Sequence, residues 1–227
     1  MQIQTVGIIG AGTMGNGIAQ ACATSGINVV MVDISEAAVQ KGLATVAGSL
    51  DRLIKKEKIT AADKEAALAK IKVSTDYSAL KAAQLVIEAA TENEALKIKI
   101  LQEVDALVGP EVLIASNTSS ISITKLAAVT GRADKFIGMH FFNPVPMMAL
   151  VEVIRGLQTS DATHAAVQAL AQQLGKTPIT VKNGPGFVVN RVLIPMINEA
   201  FFVLAEGLAT AEDIDAGMKL GCNHPIG

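Results

Sequence analysis

The sequence has 227 residues, 50% of them hydrophobic and only 3% aromatic, which excludes a chain that is disordered along most of its length. Nineteen Lys and Arg residues against 21 Asp and Glu residues give a net charge of −2, without the basic excess needed to bind nucleic acid or an anionic membrane. Cys22 and Cys222 belong to no CxxC motif or Cys/His cluster, so the sequence predicts neither disulfides nor a metal site.

The N-terminus enters a strand pattern at once, without the features of a signal peptide, and this predicts a cytoplasmic protein. Apolar runs predict strands at residues 3–9, 28–32, 72–74, 85–89, 112–116, 136–140, 150–155 and 178–181. Helical patterns cover residues 13–24, 36–58, 61–70, 93–107, 124–128 and 162–174, with Ser35 as an N-cap and Thr60 and Asp63 as a capping box. The alternation indicates an α/β fold with a mostly parallel sheet covered on both faces and a helical insertion.

The pattern changes at a cluster of helix and strand breakers, Asn183-Gly184-Pro185-Gly186, after which only helical periodicity follows. We therefore place a domain boundary between residues 183 and 184. Residues 187–206 and 212–220 are predicted helices, and the first contains Asn190 and Glu199, which favour a buried helix over a membrane span. A helical unit of about forty residues is too small to fold alone, so we expect a truncated all-α domain.

A GxGxxG motif, Gly10-Ala11-Gly12-Thr13-Met14-Gly15, lies between the first predicted strand and helix, and Asp33 ends the next strand. Gly10 allows a tight turn, Gly12 lets the backbone approach a diphosphate, and Gly15 lets helix and strand pack closely. The N–H groups of Thr13 and Met14 begin the helix and face the phosphates. Asp33 suits the adenosine ribose and repels a 2′-phosphate. An ordinary glycine-rich turn is the alternative, but the order of elements predicts a Rossmann-type domain that binds NAD.

Five longer motifs follow one another along the chain: GIIGAGTMGNGIAQ, ASNTSSISI, GMHFFNPVPMMALVEVI, GKTPITVKNGPGFVVNR and EDIDAGMKLGCNHPIG. In these motifs the sequence resembles the L-3-hydroxyacyl-CoA dehydrogenases, particularly the short monofunctional 3-hydroxybutyryl-CoA dehydrogenases. The resemblance covers the whole chain. It implies hydride transfer between NAD and C3 of an (S)-3-hydroxyacyl-CoA, an acyl-CoA substrate, and a homodimer formed through the C-terminal helical domain.

The resemblance also implies four catalytic residues. His140 matches the family's base, and an imidazole with a pKa near neutrality serves both directions of the reaction. Glu152 matches the carboxylate that orients this histidine, and Ser119 and Asn190 match residues that hydrogen-bond the substrate oxygen. From the residues alone, each of the four also has a non-catalytic interpretation. His140 could be a structural histidine and Glu152 could form an ion pair with a Lys or Arg across the sheet. Ser119 could cap a helix, and Asn190 could be a hydrogen-bonded polar group in a buried helix.

Further positions carry over from the family one by one. Glu92, Lys97 and Asn143 match residues around the nicotinamide and its ribose, and Ser119 also matches a contact of cofactor and substrate. Ser49 and Lys56 match residues that meet the CoA moiety, and their spacing of seven residues places both on one face of a helix. The alternative for Lys56 and its basic neighbours is a solvated helix end.

Three other functions remain open on the sequence. A related dehydrogenase acting on a free sugar acid such as gulonate shares the fold and an HFFNP-like motif. A non-catalytic nucleotide-binding or structural protein is the second, and a segment of a multifunctional fatty-acid oxidation protein is the third. The presence of His140, Glu152, Ser119 and Asn190 together favours the enzyme, and Ser49 and Lys56 favour CoA.

Overall fold

Eight strands form one sheet in the computed structural model, which describes residues 2–227. The strands are β1 Thr5–Ile9, β2 Asn28–Val32, β3 Ile71–Ser74, β4 Leu85–Glu88, β5 Leu113–Ser116, β6 Phe136–Phe141, β7 Leu150–Arg155 and β8 Thr177–Lys182. The helices are α1 Thr13–Thr24, α2 Glu36–Lys55, α3 Ala61–Ala69, α4 Glu94–Leu107, α5 Ile123–Ala127, α6 Asp161–Gln173, α7 Val189–Ala205 and α8 Ala211–Gly221. The predicted α/β fold with a helical C-terminal part is confirmed.

The strand order in the sheet is β3-β2-β1-β4-β5-β6-β7-β8. The chain moves outward from β1 to β3, returns to the centre at β4 and then proceeds in the other direction. The carboxyl ends of β1 and β4 therefore flank the point where the order reverses, which is where sheets of this kind bind their ligands. All neighbouring strands are parallel except β6 and β7, which are antiparallel.

The central strands are buried because their sequences are apolar on both faces. All four residues of β4 and of β5 are buried, as are all six of β6. Helices cover a parallel sheet on both sides, so such strands read as continuous apolar runs instead of alternating ones. The buried polar side chains at the carboxyl ends of these strands stand out against this background, because an unpaired charge there is costly.

The helix starts follow the sequence closely, but one helix end does not. Ser35 caps α2, and Thr60 and Asp63 form the predicted capping box of α3. The expected continuation of α2 to residue 58 is wrong, since the helix ends at Lys55. Glu57 adopts a left-handed conformation with a φ of 56°, and the N–H of Lys58 bonds back to the carbonyl of Leu53. This is the Schellman arrangement, here with Glu in the position that glycine usually occupies.

The chain divides into two compact units, one up to Pro185 and one over Gly186–Gly227. The second unit consists of α7 and α8, and Thr210 caps α8 by accepting from the N–H of Asp213. Two 3₁₀ helices in the first unit, Tyr77–Ala82 and Ala133–Lys135, were not expected from the sequence. Across residues 2–227, no helix has both the length and the hydrophobicity to cross a bilayer.

Candidate active site

The glycines of the first turn have separate steric roles. Gly10 has a φ of +98°, and a Cβ there would lie 2.6 Å from the carbonyl oxygen of Ala89. A Cβ on Gly15 would lie 1.7 Å from the carbonyl oxygen of Gly10, so α1 can pack on the turn only without a side chain at this position. A Cβ on Gly12 would meet no heavy atom within 4 Å. The turn therefore leaves an open space beside Gly12, at the start of α1.

The start of α1 suits an anionic group. Gly12 is its N-cap, and no side chain caps the helix. The Asn16 amide donates to the carbonyls of Gly12 and Ala11, at 2.6 and 3.3 Å. It therefore bonds acceptors of the turn and does not accept from the N–H groups of Thr13 and Met14 at the helix start. Thr13 is exposed and Met14 half-buried. Free N–H groups and the positive end of the helix dipole attract phosphate.

Asp33 ties the end of β2 to this turn. One carboxylate oxygen accepts from the N–H of Ala11 and the other from the N–H of Ile34, both at 2.7 Å. A carboxylate has about four lone-pair sites, so both oxygens retain acceptor capacity for ribose hydroxyls. The contact with Ala11 was not predicted, and it means that Asp33 also shapes the turn.

His140 and Glu152 face each other across the antiparallel pair of strands. They are direct register partners on β6 and β7, and residues opposite each other in such a pair project their side chains to the same face. His140 Nδ1 lies 2.7 Å from Glu152 Oε2, and the Glu152 side chain is 0% exposed. Glu152 is thus paired with a histidine on the neighbouring strand.

Ser119 lies at the other side of the same imidazole ring. Its Oγ is 3.0 Å from His140 Nε2. A carboxylate at Nδ1 accepts a hydrogen bond, so it favours the tautomer with the proton on Nδ1 and a lone pair on Nε2. Ser119 Oγ then donates to that lone pair. Nε2 is the ring atom that can take up or release a proton beside the serine hydroxyl.

Glu92 holds the loop that carries Ser119. Its carboxylate accepts from the backbone N–H of Ser119 at 2.7 Å and from Thr118 Oγ1 at 2.8 Å. The Glu92 side chain is 50% exposed, so part of it faces the open side of the sheet end. The structure therefore brings together three predicted site residues and one predicted cofactor residue: Ser119, His140, Glu152 and Glu92.

The Lys97 side chain is buried instead of reaching into an open cleft. It is 1% exposed, and its Nζ lies 2.6 Å from Glu88 Oε2 and 3.8 Å from Glu92 Oε2. Glu88 was missed in the sequence, although a signal was present: it is an acid at the end of an apolar strand, where an unpaired charge is costly. Ser116 and Thr118 were also missed, because an isolated hydroxyl in a sequence carries no such signal.

The remaining predicted residues lie on other elements. Asn143 is exposed in the loop between β6 and β7. Ser49 is half-buried on α2, and the exposed Lys56 is the C-cap residue that follows the last residue of this helix. Asn190 is the second residue of α7, in the second unit. Among residues 2–227, no cluster of three His, Cys, Asp or Glu residues has the geometry to hold a metal ion.

Residues 5–184 match the family model of the 3-hydroxyacyl-CoA dehydrogenase NAD binding domain, and residues 186–227 match that of the 3-hydroxyacyl-CoA dehydrogenase C-terminal domain. The chain belongs to the 3-hydroxyacyl-CoA dehydrogenase family. As a member it is an oxidoreductase that uses NAD, and the predicted family, enzyme class and cofactor are confirmed. The open space at Gly12 and the free helix start fit the diphosphate of this cofactor.

Named relatives of this 3-hydroxyacyl-CoA dehydrogenase agree with the family assignment. A 3-hydroxybutyryl-CoA dehydrogenase of Bradyrhizobium diazoefficiens is 49% identical over 225 residues, which are 99% of this chain and 77% of the relative. A probable 3-hydroxybutyryl-CoA dehydrogenase of Bacillus subtilis is 47% identical over 227 residues, 100% of this chain and 79% of the relative. The crystal structure of an (S)-3-hydroxybutyryl-CoA dehydrogenase from Ralstonia eutropha has 78% identity and a TM-score of 0.99, covering 100% of this chain and 80% of that one.

Proposed function

We propose that the protein interconverts (S)-3-hydroxybutyryl-CoA and acetoacetyl-CoA with NAD as the redox partner. The observation that carries the proposal is the line of three side chains, in which Glu152 lies 2.7 Å from His140 Nδ1 and Ser119 lies 3.0 Å from His140 Nε2. The relatives named for 3-hydroxybutyryl-CoA support the four-carbon substrate.

His140 is the general base and general acid for the proton on the substrate oxygen. When bound, the cofactor would supply the redox chemistry, as NAD the hydride acceptor for C3 of the substrate and as NADH the hydride donor in the reverse direction. During oxidation Nε2 takes the proton of the 3-hydroxyl group, and during reduction it gives this proton to the carbonyl oxygen. The Glu152 carboxylate keeps the other ring proton on Nδ1 and stabilises the imidazolium. The Ser119 hydroxyl donates a hydrogen bond to the substrate oxygen as negative charge develops there.

Residues at the carboxyl ends of β1 and β4 would hold the cofactor in this proposal. Gly10, Gly12, Thr13, Met14 and Gly15 hold its diphosphate. Asp33 accepts from the adenosine ribose and repels a 2′-phosphate, so NAD is preferred over NADP. The residues that would hold the nicotinamide ribose and ring are those that match the family's contacts: Glu92, Lys97, Ser119 and Asn143.

Ser49 and Lys56 bind the CoA moiety in this proposal, and Lys56 is suited to phosphate because its side chain is exposed. The match of Asn190 to the family supports a role for it as a second residue that hydrogen-bonds the substrate oxygen. The protein acts in the cytoplasm in fatty acid or butanoate metabolism.

A homodimer formed through the C-terminal helical domain is supported by the second unit's exposed apolar side chains. These include Val192, Ile194, Phe201, Phe202 and Leu220. Water contact is unfavourable for exposed apolar side chains, and a partner surface removes it.

The test is reduction of acetoacetyl-CoA, followed by the loss of NADH absorbance, with free acetoacetate and NADPH in parallel assays. Turnover with acetoacetyl-CoA and NADH, and much less with either replacement, is the expected result. His140→Ala should abolish turnover and leave NADH binding intact. His164→Ala is the matched control, because this histidine lies on α6 and bonds the Thr180 hydroxyl at 2.9 Å. Equal turnover of free acetoacetate, or full activity of His140→Ala, contradicts the proposal.

A further inference from the structure

Glu88 is a buried carboxylate to which the proposed chemistry assigns no role. It ends β4 at the point where the strand order reverses, and it is 0% exposed. Three donors reach it: Lys97 Nζ at 2.6 Å and Ser116 Oγ at 2.8 Å on one oxygen, and the N–H of Ala90 at 2.9 Å on the other. Stability alone does not explain a buried charged group of this kind, because well-packed apolar residues often replace a buried ion pair without loss of stability.

The first connection from Glu88 runs through Ser116. The two residues are register partners on the parallel strands β4 and β5, so their side chains lie side by side. Ser116 Oγ donates to Glu88 and accepts from the backbone N–H of Thr118 at 3.3 Å. Glu88 thereby orients the hydroxyl that holds the first residues of the loop after β5.

The second connection runs through Lys97. Its ammonium lies between Glu88, at 2.6 Å, and Glu92, at 3.8 Å. Glu92 in turn accepts from Thr118 Oγ1 and from the N–H of Ser119. The first connection therefore ends on Thr118 and the second on Thr118 and Ser119, two consecutive residues outside any helix or strand.

We propose that Glu88 is a positioning residue that sets the place of the Ser119 hydroxyl opposite His140 Nε2. The inference rests on the proposed function, in which Ser119 bonds the reacting oxygen. A displacement of about 1 Å at such a group can cost as much as 100-fold in rate. The effect of Glu88 on kcat runs through Ser119, so its removal should lower kcat no further once the Ser119 hydroxyl is absent.

The experiment is a double-mutant cycle with Glu88→Gln and Ser116→Ala, each alone and in a Ser119→Ala background. Ser116→Ala cuts one connection and keeps the Glu88–Lys97 pair, so it remains informative if Glu88→Gln fails to fold. We expect each single variant to lower kcat for acetoacetyl-CoA reduction about tenfold, with KM for NADH changed less than about twofold. In the Ser119→Ala background the same substitutions should change kcat less than about twofold.

Asp105→Asn is the control for a general loss of stability. Asp105 is also a well-bonded carboxylate, at 2.6 Å from Arg132 Nε and 2.7 Å from the N–H of Gly131, and it lies on α4. It should lower the melting temperature and leave kcat unchanged. A fall in kcat for Asp105→Asn as large as for Ser116→Ala, or an equal effect of Ser116→Ala in both backgrounds, overturns the inference.

The imidazole signals of His140 in the NMR spectrum give a readout that does not depend on turnover. The chain has three histidines, and single substitutions assign them. Ser116→Ala should shift the His140 signals, and Asp105→Asn should not. If the protein lacks activity with acetoacetyl-CoA but these signals shift as expected, the proposed function fails and the positioning role stands. Unshifted signals overturn the inference, whether or not the enzyme turns over.

Discussion

Two alanine substitutions in the first turn should have different effects: Gly15→Ala should destabilise the fold, and Gly12→Ala should weaken cofactor binding. A Cβ on Gly15 would lie 1.7 Å from the Gly10 carbonyl oxygen, whereas real Cβ contacts essentially never fall below 3.0 Å, so α1 must move by about 1.3 Å (3.0 − 1.7). The Gly10 oxygen belongs to the backbone and the position of a Cβ is fixed by its own backbone, so no rotamer change relieves the clash. Gly15→Ala should therefore destabilise the fold by about 3 kcal/mol, the upper end of ordinary overpacking.

Gly12→Ala should leave the fold intact and weaken the binding of NADH. Its Cβ would meet nothing within 4 Å, and the Gly12 backbone, with φ −65° and ψ −168°, is in a region that alanine adopts. Unfolding free energy should change by less than about 0.5 kcal/mol. The methyl group takes the space of the diphosphate and weakens its hydrogen bonds to the helix start. A hydrogen bond to a charged group contributes about 1.5–3 kcal/mol, so we expect an affinity loss of about 10- to 100-fold.

Thermal unfolding followed by circular dichroism measures the stability of each variant, and titration of NADH fluorescence measures its affinity for NADH. Each variant adds one methyl group to the same turn, so Gly12→Ala is the control for the loss of stability expected in Gly15→Ala. Wild-type NADH affinity in Gly12→Ala would show that the diphosphate does not pass this residue. A wild-type melting temperature in Gly15→Ala would refute the steric argument for the close approach of helix and turn.

Three further predictions concern catalysis, stability and thiol chemistry. Glu152→Gln should lower the rate of 3-hydroxybutyryl-CoA oxidation by about 100-fold or more and leave NADH binding unchanged, because the amide favours a proton on the wrong ring nitrogen; steady-state kinetics and NADH titration test this. Arg132→Met should lower the free energy of urea unfolding by about 3 kcal/mol, since the guanidinium pairs with Asp105 and donates to four backbone carbonyls. An unchanged unfolding midpoint would contradict a stabilising role for these contacts. Burial raises the pKa of Cys22 from 9.0 to about 12, so an aromatic disulfide reagent should modify only the exposed Cys222 in the native protein. The unfolded chain loses the Cys22 proton first as pH rises above about 9, so this residue lowers stability at alkaline pH, and Cys22→Ala should weaken that alkaline loss.

The features that the sequence predicts well are those set by a few neighbouring residues. The turn from Gly10 to Gly15 and the caps at Ser35 and Thr60 depend on backbone conformations and hydrogen bonds within three to five residues. The end of α2 shows the limit of this approach. Glu57 takes the left-handed conformation without being glycine, so the chemistry of the sequence contains no signal for it.

The sequence by itself determined an α/β fold, a dinucleotide turn and the family to which the chain belongs. The direction of β7 was decided only by the tertiary structure, and this direction makes His140 and Glu152 register partners on one face of the sheet. The network around Glu88 depends in the same way on strands that lie side by side in the fold and apart in the sequence. Side chains distant along the chain meet through strand order and register, and these follow from the packing of all the elements together.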